Sequence, residues 1–176
     1  MRYRSLGDSG LMVSVAGLGC NNFGRRVDLA GTRAVVDAAI DSGITVLDTA
    51  DIYGDGGASE ELLGEVLAGR REQVVLATKF GHVGYDMGYG PAAGAKGGRS
   101  YIRRAVEQSL RRLRTDYIDL YQLHAPGRAD RARHRGQGPL PRPLELRRLA
   151  DRGRGPRGPG RGHRTLRLRA EPLVAA

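Results

Sequence analysis

The sequence predicts an α/β fold in which parallel strands alternate with helices behind an N-terminal β-hairpin. Three observations carry that prediction. Apolar runs of strand length end in polar residues at successive places along residues 1–124. The stretches between them place apolar residues at helical spacing. Successive runs start roughly 27 to 43 residues apart, the interval of βαβ units. Four strands with three intervening helices are half of a (β/α)8 barrel, or part of an open doubly wound sheet.

The hairpin is expected within residues 1–15. Gly7-Asp8-Ser9-Gly10 is turn material between Tyr3–Leu6 and Leu11–Val15. A two-stranded hairpin is marginal alone, so it should cap something larger. Ala16-Gly17-Leu18-Gly19 reads as a short strand whose loop runs from Cys20 to Gly24. Gly17-Leu18-Gly19 lacks the later glycine of a dinucleotide fingerprint, which argues against that motif.

Asp28 to Ser42 is the first helix, with Val35, Val36, Ala39 and Ile40 on its apolar face and Gly43 as its stop. Ile44–Leu47 is the second strand of the repeat. Ser59 is the expected cap of the next helix, with Glu60 and Glu61 in its first turn near the positive end of the dipole. Leu62, Leu63, Val66 and Leu67 form its buried side, and Gly69 ends it. Val74–Thr78 is a strand running into Lys79-Phe80-Gly81.

Residues 82–99 are rich in glycine and have no period, so they read as a long loop, a kind that tends to be functional or disordered. Ser100 is the expected cap of a helix that buries Ile102, Val106, Leu110 and Leu113 and leaves its arginines to solvent. Tyr117–Leu123 is the last strand, ending at His124-Ala125-Pro126.

The 176 residues suffice for one domain with a core, and the formal charge is +10. That charge is unevenly placed. Residues 1–124 hold 15 basic and 15 acidic side chains, whereas residues 125–176 hold 14 arginines and four acids. The single Cys20 excludes an internal disulfide or a cysteine zinc site and fits a reducing compartment. No run approaches the roughly 20 apolar residues of a membrane span, and no signal-peptide pattern opens the chain. The expected location is the cytoplasm, without membrane partners.

The chemistry gathers at strand ends. Asp48-Thr49-Ala50-Asp51-Ile52-Tyr53-Gly54 follows the second strand, Lys79 follows the third, and His124 the fourth. Side chains just past the carboxyl ends of parallel strands converge on one face. A phenol is a poor acid at neutral pH, but a nearby ammonium stabilises its ionised form and a carboxylate fixes that ammonium in place. Tyr53 would then give a proton to a carbonyl oxygen as a hydride reaches the carbon, with His124 orienting that oxygen. Taken singly, each group has a blander reading: Lys79 as a solvated ion pair, Asp48 as a turn cap, Tyr53 as packing, His124 as a loop anchor.

Together these residues resemble the aldo-keto reductase family. Asp48-Thr49-Ala50-Asp51-Ile52-Tyr53-Gly54 with Gly57-Ala58-Ser59-Glu60 and Leu63-Gly64 is similar to its first signature. Arg112-Leu113 before Tyr117-Ile118-Asp119 is similar to the second, and Ala77-Thr78-Lys79 and His124 complete the set. The glycine-rich residues 82–99 resemble branches near the potassium-channel β-subunits. The resemblance implies a (β/α)8 TIM barrel in which NADPH, less often NADH, reduces a small aldehyde or ketone. It implies Tyr53 as general acid, Lys79 and Asp48 as the pair that tunes it, and His124 as the substrate-orienting group. Asp48 and Tyr53 would also meet the nicotinamide. No metal site is implied. Phe23 and Tyr85 are weaker candidates for the pocket wall.

The resemblance covers about residues 1–126, the N-terminal half of such a barrel. Residues 127–176 contain no Ser, Asn, Ile, Phe, Tyr or Lys and are dense in Arg, Gly and Pro. They lack the Ser-Asn pair by which the family holds the carboxamide of the nicotinamide. This composition reads as an out-of-frame translation of a GC-rich coding sequence, forming a disordered tail. The expectation is therefore a truncated reductase, inactive as this chain, whose open half-barrel invites self-association.

Three other classes compete. One is a non-enzymatic, channel-β-subunit-like interaction protein, against which all four polar residues argue. Another is a basic nucleic-acid-binding protein acting through the arginine-rich tail, which has no aromatics for stacking and no Arg-Gly-Gly repeat. The last is hydrolysis at the strand ends, for which no Gly-x-Ser-x-Gly elbow or clustered metal ligands exist.

Overall fold

The computed structural model describes residues 1–124; the readings for residues 125–176 lie outside the described residues. Strands β1 (Tyr3–Ser5) and β2 (Met12–Ser14) pair antiparallel around the Gly7–Gly10 turn, with Arg4 opposite Val13. The hairpin is tied to the body of the fold by side chains. The Ser14 N–H donates to Thr45 Oγ1, the Thr45 N–H donates to Ser14 Oγ, and the Tyr3 hydroxyl donates to the Gly43 carbonyl.

Strands β3 (Gly17–Gly19), β4 (Val46–Asp48), β5 (Val75–Phe80) and β6 (Leu120–Leu123) form one parallel sheet. They lie side by side in chain order. That order separates the two architectures the sequence left open. A doubly wound sheet reverses direction at a switch point, whereas a (β/α)8 barrel adds each strand on the same side. The sheet is an unclosed part of a barrel among the described residues.

Helices α1 (Leu29–Asp41), α2 (Tyr53–Val66) and α3 (Arg99–Arg112) connect the strands. Asp28 caps α1, accepting from the Gly31 N–H at 2.9 Å. The two caps expected from the sequence, Ser59 and Ser100, lie elsewhere in their helices. Ser59 lies inside α2, where its hydroxyl donates to the Cys20 carbonyl and pairs with Thr49 Oγ1. Helix α3 is capped by Gly98 without a side-chain bond, and Ser100 is already in its first turn. On α1, Val36 and Ala39 are buried as expected, but Val35 is 40% exposed and the fully buried Thr32 joins the inward face.

The core lies between the helices and the sheet. Leu47 of β4 and Leu76 of β5 meet Val36 of α1, Leu63 and Val66 of α2 and Leu110 of α3, with Ile118 and Leu113 closing one end. Each fully buried leucine or isoleucine contributes about 1.5–3 kcal/mol through loss of water contact. Phe80, Tyr101 and Ala105 form a second cluster under the β5–α3 segment. Alternation along the strands then places Val46, Asp48, Ala77 and Lys79 on the other face, the one that becomes a barrel interior.

Candidate active site

Asp48 ends β4, in register with Gly19 of β3 and Ala77 of β5. Two residues further along β5, Lys79 reaches back across the sheet. Its Nζ bonds Asp48 Oδ1 at 2.7 Å and donates to the Thr49 carbonyl at 3.0 Å. The Lys79 side chain is 16% exposed and that of Asp48 41%, so the pair lies at the rim of the sheet rather than inside the core.

Tyr53 is set by the turn after β4. The Thr49 N–H donates to the Ala77 carbonyl, the Asp51 N–H to the Lys79 carbonyl and the Tyr53 N–H to the Ala50 carbonyl. The chain therefore follows the β5 backbone before turning out, which keeps Tyr53 close to Lys79. Residues 54–57 then run through left-handed conformations at Gly54, Asp55, Gly56 and Gly57 before the helix proper resumes. Gly57 has φ 120°, and a Cβ there would lie 2.4 Å from Arg112 Cδ, so only glycine fits.

The result brings all four predicted groups together. The Lys79 ammonium is 5.1 Å from the centroid of the Tyr53 ring, over its face. The Tyr53 ring meets the His124 ring edge to face, with centroids 5.6 Å apart. His124 is positioned by its backbone N–H, which donates to the Phe80 carbonyl at 2.8 Å. Burial pushes its imidazole below the ordinary range; His82 and Lys79 add to this, and Asp48 opposes it. His124 is thus a neutral ring at neutral pH, able to donate a hydrogen bond without carrying charge.

Behind the rim lies a buried polar cluster that the sequence does not announce. Glu60 is fully buried, accepting from the Thr78 hydroxyl at 2.6 Å and from Arg112 Nε at 2.7 Å. Glu60 therefore serves as an internal partner for Arg112, not as a first-turn acid, and Arg112 is drawn inside instead of solvated. Asp51 is also fully buried beside them. Backbone N–H groups of Gly81 and Ile52 approach its carboxylate without completing hydrogen bonds. Burial and the Glu60 charge push its carboxyl up to about 6, with Arg112 opposing.

Of the weaker candidates, Phe23 is 3% exposed and packs in the core among the described residues. Tyr85 lies against the turn after Tyr53, its hydroxyl 2.9 Å from where a Gly56 Cβ would stand. A surface depression of about 440 Å³ near Arg25, Asp28 and Glu61 shares no residue with the four groups. No cluster of metal-ligating side chains occurs among the described residues, and no helix there is long and apolar enough to cross a membrane.

The sequence pattern of the Aldo/keto reductase family matches residues 16–145. The chain belongs to the aldo/keto reductase family. It is 45% identical over 129 residues to the uncharacterized oxidoreductase YqkF of Bacillus subtilis, covering 70% of this chain and 39% of that protein. It is 43% identical over 133 residues to the 6-dehydroglucose reductase of Novosphingobium aromaticivorans, covering 70% and 41%. Among solved structures, the holo form of aldo-keto reductase AKR11C1 from Bacillus halodurans aligns with a TM-score of 0.64 and 40% identity. That alignment covers 76% of this chain and 43% of the other. This aldo/keto reductase chain therefore spans about two fifths of the length of the relatives it matches.

Proposed function

We propose that the described residues form the catalytic end of a nicotinamide-dependent carbonyl reductase that uses NADPH to reduce small aldehydes or ketones. The observation that carries this reading is the Lys79 ammonium, held by Asp48 at 2.7 Å and stationed over the Tyr53 ring beside His124. Tyr53 gives its hydroxyl proton to the carbonyl oxygen. Lys79 stabilises the phenolate left behind, and the bonds from Asp48 and the Thr49 carbonyl keep that ammonium from turning to solvent. Neutral His124 orients the same oxygen.

The cofactor, when bound, supplies the hydride. The residues present fit its nicotinamide end. Gly19 is paired with Asp48, and no heavy atom of the described residues lies within 4 Å of the point where a Gly19 side chain would begin. A flat ring has room there beside Asp48 and Tyr53. The single, buried Cys20 fits work in the reducing cytoplasm.

The remaining cofactor contacts are a separate matter. Residues 127–176 contain neither Ser nor Asn for a carboxamide. We expect the 176-residue chain to bind NADPH at least tenfold more weakly than full-length YqkF and to turn over little, as one missing hydrogen-bonded contact already implies. Quenching of NADPH fluorescence in parallel titrations of the two proteins measures this. Equal affinities would overturn the expectation that this chain is impaired.

A further inference from the structure

The segment between β5 and α3 holds a group that the four residues above leave unused. His82 follows Phe80-Gly81, and its ring meets that of His124 at 4.9 Å between centroids, with planes at 72°. The same His124 ring meets Tyr53. Three rings thus run contiguously from the phenol to His82.

The orientation of His82 is fixed at both the ring and the backbone. Its Nδ1 accepts from the Gly84 N–H at 3.2 Å. A neutral imidazole bonded in this way carries its hydrogen on Nε2, which makes no hydrogen bond among the described residues. Lys96 Nζ donates to the carbonyls of His82 and Tyr85, tying the segment down. The Tyr85 hydroxyl in turn abuts Gly56, in the turn that follows Tyr53. The loop carrying His82 is therefore braced against the loop carrying Tyr53, with an unspent N–H donor next to His124.

We propose that His82 is a specificity-determining residue of the carbonyl site: its Nε2–H holds an oxygen on the carbon adjacent to the reacting carbonyl. The favoured substrates are then α-hydroxy carbonyl compounds. Two ring donors with centroids 4.9 Å apart suit two oxygens on neighbouring carbons. A site built to bond such a hydroxyl also discriminates against analogues without it, because the donor is left unpaired. Among the described residues, the titratable groups that act on His124 are Tyr53, Lys79, Asp48 and His82; His82 makes ring contact with it, as Tyr53 does, and stands outside the Asp48–Lys79 pair. The proposal rests on the carbonyl-site reading given above.

The test uses the full 176-residue chain without cofactor and needs no turnover. The chain has four histidines, so imidazole nitrogen NMR can follow His82 and His124 individually. Hydroxyacetone and acetone are titrated separately. Hydroxyacetone should shift both rings and bind about tenfold more tightly than acetone, the worth of one net hydrogen bond. His82→Phe should reduce hydroxyacetone to the affinity of acetone, and His82→Gln, which keeps an N–H donor, should retain most of the difference. The His124 resonance reports whether each variant keeps its fold. Equal affinity of the parent for both ketones, or a preference unchanged in His82→Phe, overturns the proposal and leaves the carbonyl site standing. If neither ketone moves His124, the carbonyl-site reading fails and this proposal fails with it.

Discussion

Lys79 shows how single residues are placed for chemistry in this chain. Its backbone carbonyl accepts from the Asp51 N–H while its ammonium crosses the sheet to Asp48, so one residue anchors both the turn and the ion pair. Asp51, two residues before Tyr53, bears the cost of that arrangement. Its carboxyl is shifted from 3.8 to about 6, so the folded state binds a proton more tightly than the unfolded chain does. The resulting destabilisation is absent below about pH 4, grows as pH rises through 6, and is fully present at pH 7. Asp51→Asn should therefore raise stability at pH 7 by about 2–3 kcal/mol, with the gain vanishing near pH 4. Urea denaturation at the two pH values checks this, and a pH-independent difference would contradict it. Residues at this scale were partly legible. Asp48, Tyr53, Lys79 and His124 are polar groups at the ends of apolar runs, and the sheet must bring such positions together. His82 was not legible, because its contact with His124 depends on the path of a loop stapled by Lys96, which no periodicity records.

A buried ion pair joins elements here in addition to apolar packing. Arg112 ends α3, Glu60 lies in α2 and Thr78 in β5, and their bonds join three elements behind the site. The Glu60 side chain is fully buried and Arg112 is 13% exposed, so removal of one partner strands the other. Arg112→Met should cost about 3–5 kcal/mol in chemical denaturation. A loss below 1 kcal/mol would mean that water already reaches Glu60. The helices and strands themselves were readable from apolar spacing, apart from their ends. Ser59 and Ser100 are cap residues by chemistry, yet Ser59, just past the left-handed run from Gly54 to Gly57, turns its hydroxyl to Cys20 and Thr49, and Gly98 is the cap of α3. The inward turn of Glu60 was hidden for a related reason: its partner Arg112 is 52 residues away.

At the scale of the whole molecule, strand order is the informative feature. Four parallel strands in chain order, with helices on one face, leave the opposite face to carry Asp48 and Lys79 together. The sequence intervals allowed either of two architectures, and only the observed pairing of β3 with β4, β5 and β6 in succession separates them. The central claim is that these strand ends carry carbonyl-reducing chemistry, and it can be tested apart from residues 125–176. Residues 1–124 can replace the matching segment of YqkF, to which the chain is 45% identical over 129 residues. NADPH oxidation by glyceraldehyde is then compared between this chimera and its Tyr53→Phe variant, at equal folded content. The account predicts reduction by the chimera and a fall of about 100-fold or more in the variant, as loss of a positioned general acid requires. A folded chimera without activity, or a Tyr53→Phe variant as fast as its parent, would contradict it.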